Sequence, residues 1–138
     1  VKYLKEILDN LNLKSFLKTS GGKGYHICIP FKNNLTWKKF YKISEDIANI
    51  IENTHSELFT TNNRKEKRKN KIFIDYLRNQ KSATFVAPYS VRLRKNAPVS
   101  MPIAWNELDK IKPNEITIYK AIKRLKKKDP WKDFFTSN

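Results

Sequence analysis

Thr19-Ser20-Gly21-Gly22-Lys23-Gly24-Tyr25-His26-Ile27-Cys28-Ile29-Pro30 is the stretch whose reading decides how this chain folds. The chain has 3 glycines in all, and they are Gly21, Gly22 and Gly24. A sequence that gathers its glycine at one place needs unusual backbone angles there, or close approach of a ligand to the main chain. The run that follows alternates, with Tyr25, Ile27 and Ile29 to one side and His26 and Cys28 to the other, which is the period of a strand. Ser15–Thr19 reads as the strand before it, so the two are expected to form a hairpin closed by the glycine loop. The loop gathers amide N–H groups, a hydroxyl, an ammonium and an imidazole. That set suits anions, and phosphates above all.

Working outward, the 138 residues are 39% hydrophobic and 12% aromatic, enough for one domain with a real core. Lys+Arg 29 against Asp+Glu 13 gives a formal net charge of +16. Such an excess favours polyanion partners, nucleic acid first and an anionic membrane surface second. A solvated lysine-rich surface is the plain alternative. No run is long and apolar enough to cross a membrane, and no signal peptide is visible. The single cysteine, Cys28, excludes an internal disulfide and a cysteine zinc cluster, so a reducing, cytoplasmic setting is the default.

Leu4, Ile7, Leu8 and Leu11 predict a helix over 2–12 that Asn12 closes, and Asn33–Thr36 reads as a turn with Thr36 as N-cap. A long helix is expected from Trp37 to about Asn53, with Trp37, Phe40, Tyr41, Ile47, Ala48 and Ile51 on one broad face that reads as core. His55, just past its end, has a structural or solvent role. Thr60–Lys71 is a basic surface loop. Ile72–Leu77 reads as a central strand, apolar on both faces except at Asp75. A buried carboxylate is costly unless it is paired, hydrogen-bonded or bound to a metal. A salt bridge to Arg78 and a functional role both remain open on the residues alone. Val91–Arg94 puts Arg92 and Arg94 on one face, Val99–Ile103 is a short edge strand, Ala104–Leu108 one helical turn, and Glu115–Lys127 the last helix, basic on its outer side. Phe134 and Phe135 are expected anchors of a short terminal element.

The loop is not a Walker phosphate loop, because Lys23 is followed by Gly24 and a strand instead of Ser or Thr at a helix start. For the same reason it is not a dinucleotide fingerprint. His26 next to Ser20 suggests acyl transfer only if Lys23 is left unexplained. A phosphate clamp uses all of these groups.

Ser20-Gly21-Gly22-Lys23-Gly24-Tyr25-His26, Ile72-Phe73-Ile74-Asp75-Tyr76-Leu77-Arg78-Asn79 and Ala83-Thr84-Phe85-Val86-Ala87-Pro88-Tyr89-Ser90-Val91-Arg92 together resemble the polymerase domain of bacterial DNA ligase D. Pro98-Val99-Ser100-Met101-Pro102 and Asp129-Pro130-Trp131 fit as well, so the resemblance covers nearly the whole chain in the right order. That domain belongs to the archaeo-eukaryotic primase superfamily. The resemblance implies a nucleotidyltransferase that adds nucleotides, ribonucleotides readily, to DNA ends and gaps in non-homologous end joining, with Ku as partner and a cytoplasmic, nucleoid-associated place in a bacterium. It implies that Ser20, Gly21, Gly22, Lys23 and His26 hold the triphosphate of the incoming nucleotide, that Arg92 and Arg68 reach it too, and that Asp75 is the third metal-binding carboxylate, for Mn2+ or Mg2+. The family's first metal motif, two aspartates one residue apart, has no counterpart in this sequence. The chain is therefore expected to be the C-terminal part of the catalytic domain, a single domain over residues 1–138 that binds metal weakly and is inactive alone.

The expected fold is mixed α/β. A mainly antiparallel sheet, holding the hairpin and the Asp75 strand, packs against helices, with nucleotide over the face that carries His26, Asp75 and Arg92. The alternative function is a non-catalytic nucleotide- or DNA-binding module, or a truncated, inactive gene product.

Overall fold

The computed structural model describes residues 1–31 and 35–137. The start of the turn expected at Asn33 lies outside the described residues. In chain order the elements are α1 (Lys2–Asn10), β1 (Phe16–Thr19), β2 (Tyr25–Cys28), α2 (Trp37–Thr54), β3 (Phe59–Thr60), β4 (Ile72–Phe73), β5 (Pro102–Ile103) and α3 (Ile118–Leu125), with single 3-10 turns at Lys65–Lys67 and Trp105–Glu107. This is the mixed α/β architecture with an antiparallel sheet that the sequence leads one to expect. The chain forms two compact units, Val1–Phe31 with Val86–Asn138, and Lys32–Phe85.

In the first unit the hairpin forms. β1 pairs antiparallel with β2 in the register Lys18 opposite His26 and Leu17 opposite Ile27, and β5 lies antiparallel on the other edge of β1. The alternation of the strands then sorts the two faces. Leu17, Ile103, Val99, Met101, Ile116 and Ala121 make the core, with Tyr25 and Ile27 packed against it. Phe16, Lys18, His26 and Cys28 point the other way. At one end of that second face Phe16 packs edge-on against Trp131 and Phe134, at 5.9 and 5.1 Å between ring centroids, and Trp131 Nε1 donates to the Leu17 carbonyl at 2.9 Å. Phe134 is thus an anchor, whereas Phe135 is 95% exposed. α1 ends as its sequence suggests: Asn12 takes a left-handed φ of 54°, which asparagine tolerates better than most residues. α3 is shorter at both ends than expected; at its start the Val99 amide donates to the Ile116 carbonyl at 2.7 Å and Thr117 bridges Pro98, which keeps Ile116 and Thr117 out of the helix.

In the second unit α2 begins at the expected N-cap, where the Thr36 hydroxyl accepts from the Lys39 amide at 3.3 Å. Ala48 and Ile51 are buried beneath it, but Trp37, at the first turn, is exposed. His55 is the C-cap, its amide donating to the Ile51 carbonyl. The strand expected over Ile72–Leu77 is only Ile72–Phe73. It pairs in parallel with β3, in a two-stranded sheet separate from that of the hairpin. The ladder ends because its partner ends. Glu52 captures the amide and hydroxyl of Thr61, turning β3 away after Thr60, so the last rung is the Ile74 amide on the Thr60 carbonyl at 2.9 Å. Asp75 lies past that rung and is exposed, and its Oδ1 accepts from the Leu77 amide at 3.2 Å in a turn. The expectation of a buried carboxylate on a central strand of the hairpin's sheet is corrected accordingly, and among the described residues Asp75 forms no salt bridge to Arg78.

Candidate phosphate-binding loop

β1 and β2 hold the ends of the glycine loop, and the Ser20 amide closes it on the Gly24 carbonyl at 3.0 Å. Of the three glycines only Gly21 uses the left-handed region, at φ 65°. Its neighbour is Arg92: a β-carbon at Gly21 would lie 2.5 Å from Arg92 Cγ and 3.3 Å from the Pro98 carbonyl oxygen. At Gly22 a β-carbon would lie 3.6 Å from the guanidinium carbon of Arg94. In place of the strand expected over Val91–Arg94 there is a single bridge at Val91 followed by a bend, and both arginines of this segment back the loop. Val91 bridges Val99, and the Arg92 amide donates to the Pro98 carbonyl at 2.8 Å, which fixes that segment against the stretch leading into β5.

The loop's amides are engaged within the fold. Gly21 N donates to the Pro113 carbonyl at 3.0 Å, and Gly22 N and Gly24 N donate to Ser20 Oγ at 3.1 and 3.3 Å. Ser20 is therefore the centre of the turn. Lys23 stands exposed at its tip. His26 is half-buried on the face away from the core, directly across the ladder from Lys18. Ser20, Gly21, Gly22 and Arg92 are brought together around the loop, with Lys23 at its apex and His26 on the adjoining strand.

Two residues outside the expected set belong to this neighbourhood. Arg94 is legible in the sequence as the second arginine of an alternating pair. Lys18 is legible only through register. Its side chain is fully buried, and its Nζ donates to the Val86 carbonyl at 2.8 Å and to Ser100 Oγ at 2.6 Å. Its pKa is lowered to about 8, by burial first and the nearby Arg92 charge in smaller part, with Cys28 opposing the fall. Burial pushes the Cys28 thiol the other way, up.

Arg68 and Asp75 belong to the second unit. The Arg68 guanidinium lies 3.9 Å over the Phe73 ring and donates to the carbonyls of Asn62 and Asn63 at 3.1 and 2.8 Å. These contacts fasten the basic 62–68 segment to β4. Asp75 offers an exposed carboxylate. Among the described residues no three His, Cys, Asp or Glu side chains gather to hold a metal ion. No helix among the described residues is long and apolar enough to cross a membrane.

The model of the LigD primase-polymerase domain matches residues 1–131. The chain is 37% identical over 132 residues to the multifunctional non-homologous end joining protein LigD of Pseudomonas aeruginosa, covering 93% of this chain and 16% of that protein. It is 33% identical over 135 residues to the bifunctional non-homologous end joining protein LigD of Bacillus subtilis, covering 96% of this chain and 22% of that protein. Among solved structures it resembles the polymerase domain of Mycobacterium tuberculosis ligase D in complex with DNA, at 26% identity and a TM-score of 0.86, over 98% of this chain and 47% of that one. The chain thus spans under a quarter of the length of these two curated relatives. A match over all but the last residues, at this level of identity and with the same fold, assigns the chain to the LigD primase-polymerase domain family.

Proposed function

We propose that this chain supplies the nucleotide-triphosphate grip of a polymerase that adds nucleotides to DNA ends in non-homologous end joining. The observation that supports this best is the glycine loop backed by Arg92 and Arg94 and tipped by Lys23. Phosphoryl-type transfer depends on positioning and charge neutralisation far more than on covalent chemistry by the protein. In this reading Lys23 neutralises charge on the outer phosphates as a mobile ammonium, and Arg92 offers a planar fork that can engage two phosphate oxygens. Ser20, already accepting two amides, has its one O–H to donate. His26 lends a further N–H from the adjoining strand. Arg68 is assigned to the same nucleotide, and Asp75 to a divalent ion, Mn2+ or Mg2+. One carboxylate binds such an ion weakly, and so the chain by itself is expected to grip nucleotide without extending a primer. DNA ends and Ku are its partners in this reading.

Titration of a fluorescent nucleoside triphosphate tests it. Parent protein binds; Lys23→Ala and Arg92→Ala each weaken binding about tenfold or more, the loss of one charge-assisted contact. Equal affinity in all three proteins would remove the loop from the nucleotide site. A non-catalytic binding module uses the same loop, and Asp75→Ala in a complete, active polymerase separates the two readings. The enzyme loses extension while keeping DNA affinity, and the module loses neither.

A further inference from the structure

Lys18 stands two residues before the glycine loop and is the largest fully buried side chain among the described residues. Lysine is seldom fully buried. Here its ammonium ties together pieces of chain far apart in sequence. It donates to the Val86 carbonyl, six residues before Arg92, and to Ser100, whose hydroxyl donates in turn to the Thr19 carbonyl at 2.9 Å. Thr19 completes the tie: its hydroxyl donates to the Val99 carbonyl at 3.0 Å and accepts from the Met101 amide at 2.9 Å. Ser100 also anchors both sides of the preceding turn, since its amide donates to the Ser90 carbonyl at 2.8 Å and its carbonyl accepts from the Tyr89 amide at 2.6 Å. The network therefore joins the root of the loop to both ends of the segment that carries Arg92.

We infer that Lys18 is the positioning residue of the phosphate grip: its buried ammonium locks the Val86–Ser100 segment to β1, sets Arg92 against Gly21, and adds a positive charge beneath the face that carries His26. This rests on the reading of the loop as a triphosphate site. An apolar residue of the same length would bring neither the charge nor the two N–H donors, so these are what the position supplies. The groups facing Lys18 are His26 and Cys28 from β2, Arg92 from the segment behind the loop, and the neutral Ser100 and Val86 carbonyl. Burial raises the Cys28 thiol. A bound anion favours the charged lysine, so the grip weakens as Lys18 loses its proton.

The test compares a non-hydrolysable nucleoside triphosphate binding to parent, Lys18→Met and Ser100→Ala across about pH 7 to pH 9, with thermal unfolding as the control for folding. In the parent, affinity falls about tenfold over that window; Lys18→Met binds about tenfold more weakly at pH 7 and loses most of the pH dependence. Ser100→Ala, which keeps the charge and loosens the tie, binds more weakly and keeps the pH slope. His26, Cys28, Lys23 and Arg92 are common to all three proteins, so the difference between them reports on Lys18. A folded Lys18→Met with parent affinity and parent pH profile overturns the inference. If Lys18→Met does not fold, a parent affinity that is flat over the window overturns it. Binding lost in Lys23→Ala but unchanged in Lys18→Met overturns this inference alone, whereas a folded parent that binds no triphosphate overturns the reading of the loop along with it.

Discussion

At the scale of the residue, the three glycines are not equivalent. Gly21 sits at φ 65° with Arg92 Cγ where a β-carbon belongs, while Gly24 has nothing within 4 Å of that place. Gly21→Ala therefore costs about 1–3 kcal/mol from the left-handed backbone and the displaced arginine, and weakens triphosphate binding with it. Gly24→Ala stays within about 0.5 kcal/mol of the parent. Thermal unfolding of the two variants checks this, and equal loss in both would contradict the geometry. The sequence announces that glycine matters here but not which one, because the demand at Gly21 comes from Arg92, more than seventy positions away. The same holds for Lys18. Its alternation with His26 is visible once the hairpin register is known, yet its burial depends on Val86 and Ser100. Asp75 shows the opposite error. An apolar stretch on both sides suggests a buried strand, but strand length is set by the partner, and Glu52 ends that partner at Thr60.

At the scale of the element, helices were legible wherever an apolar stripe and a cap coincide. α2 runs from Trp37 to Thr54 behind its Thr36 cap, close to what the pattern indicates. For α3 the pattern predicts Glu115–Lys127, longer than the Ile118–Leu125 that forms, and its placement comes from a tertiary contact. Arg124 forms a two-pronged pair with Glu107 at 2.9 and 2.8 Å, and Glu107 also accepts from the Ala104 amide at 2.9 Å. These hydrogen bonds, Arg124 first, hold the Glu107 carboxyl below its ordinary pKa. A depressed carboxylate stabilises the fold above its unfolded pKa, and that contribution is lost as pH falls through the folded value. Arg124→Ala therefore destabilises by about 1–3 kcal/mol at neutral pH, and the gap between variant and parent narrows in acid below about pH 4. Urea unfolding at both pH values reads the gap; a gap that persists unchanged in acid would show that Arg124 acts through packing alone.

At the scale of the whole molecule, the formal net charge of +16 is the one property readable without any structure. Association with DNA carrying a single-stranded end is expected to fall with a log–log salt slope of about −0.9 for each phosphate engaged, and a binding constant indifferent to salt would leave the charge without that role. The family, too, was legible, because three motifs keep their residues and their order along nearly all of the chain. What the sequence could not give was the division into two compact units, since no run of linker composition marks residues 32–85 off from the rest.

The central claim is that the Ser20–His26 turn holds a triphosphate. Backbone amide NMR of the isotopically labelled chain, titrated with a nucleoside triphosphate, tests it most directly. The largest shifts are expected at the amides from Ser20 to His26 and at Arg92, saturating together and absent in Lys23→Ala. Shifts centred on other residues, or a turn whose amides do not move while nucleotide binds, would contradict the account.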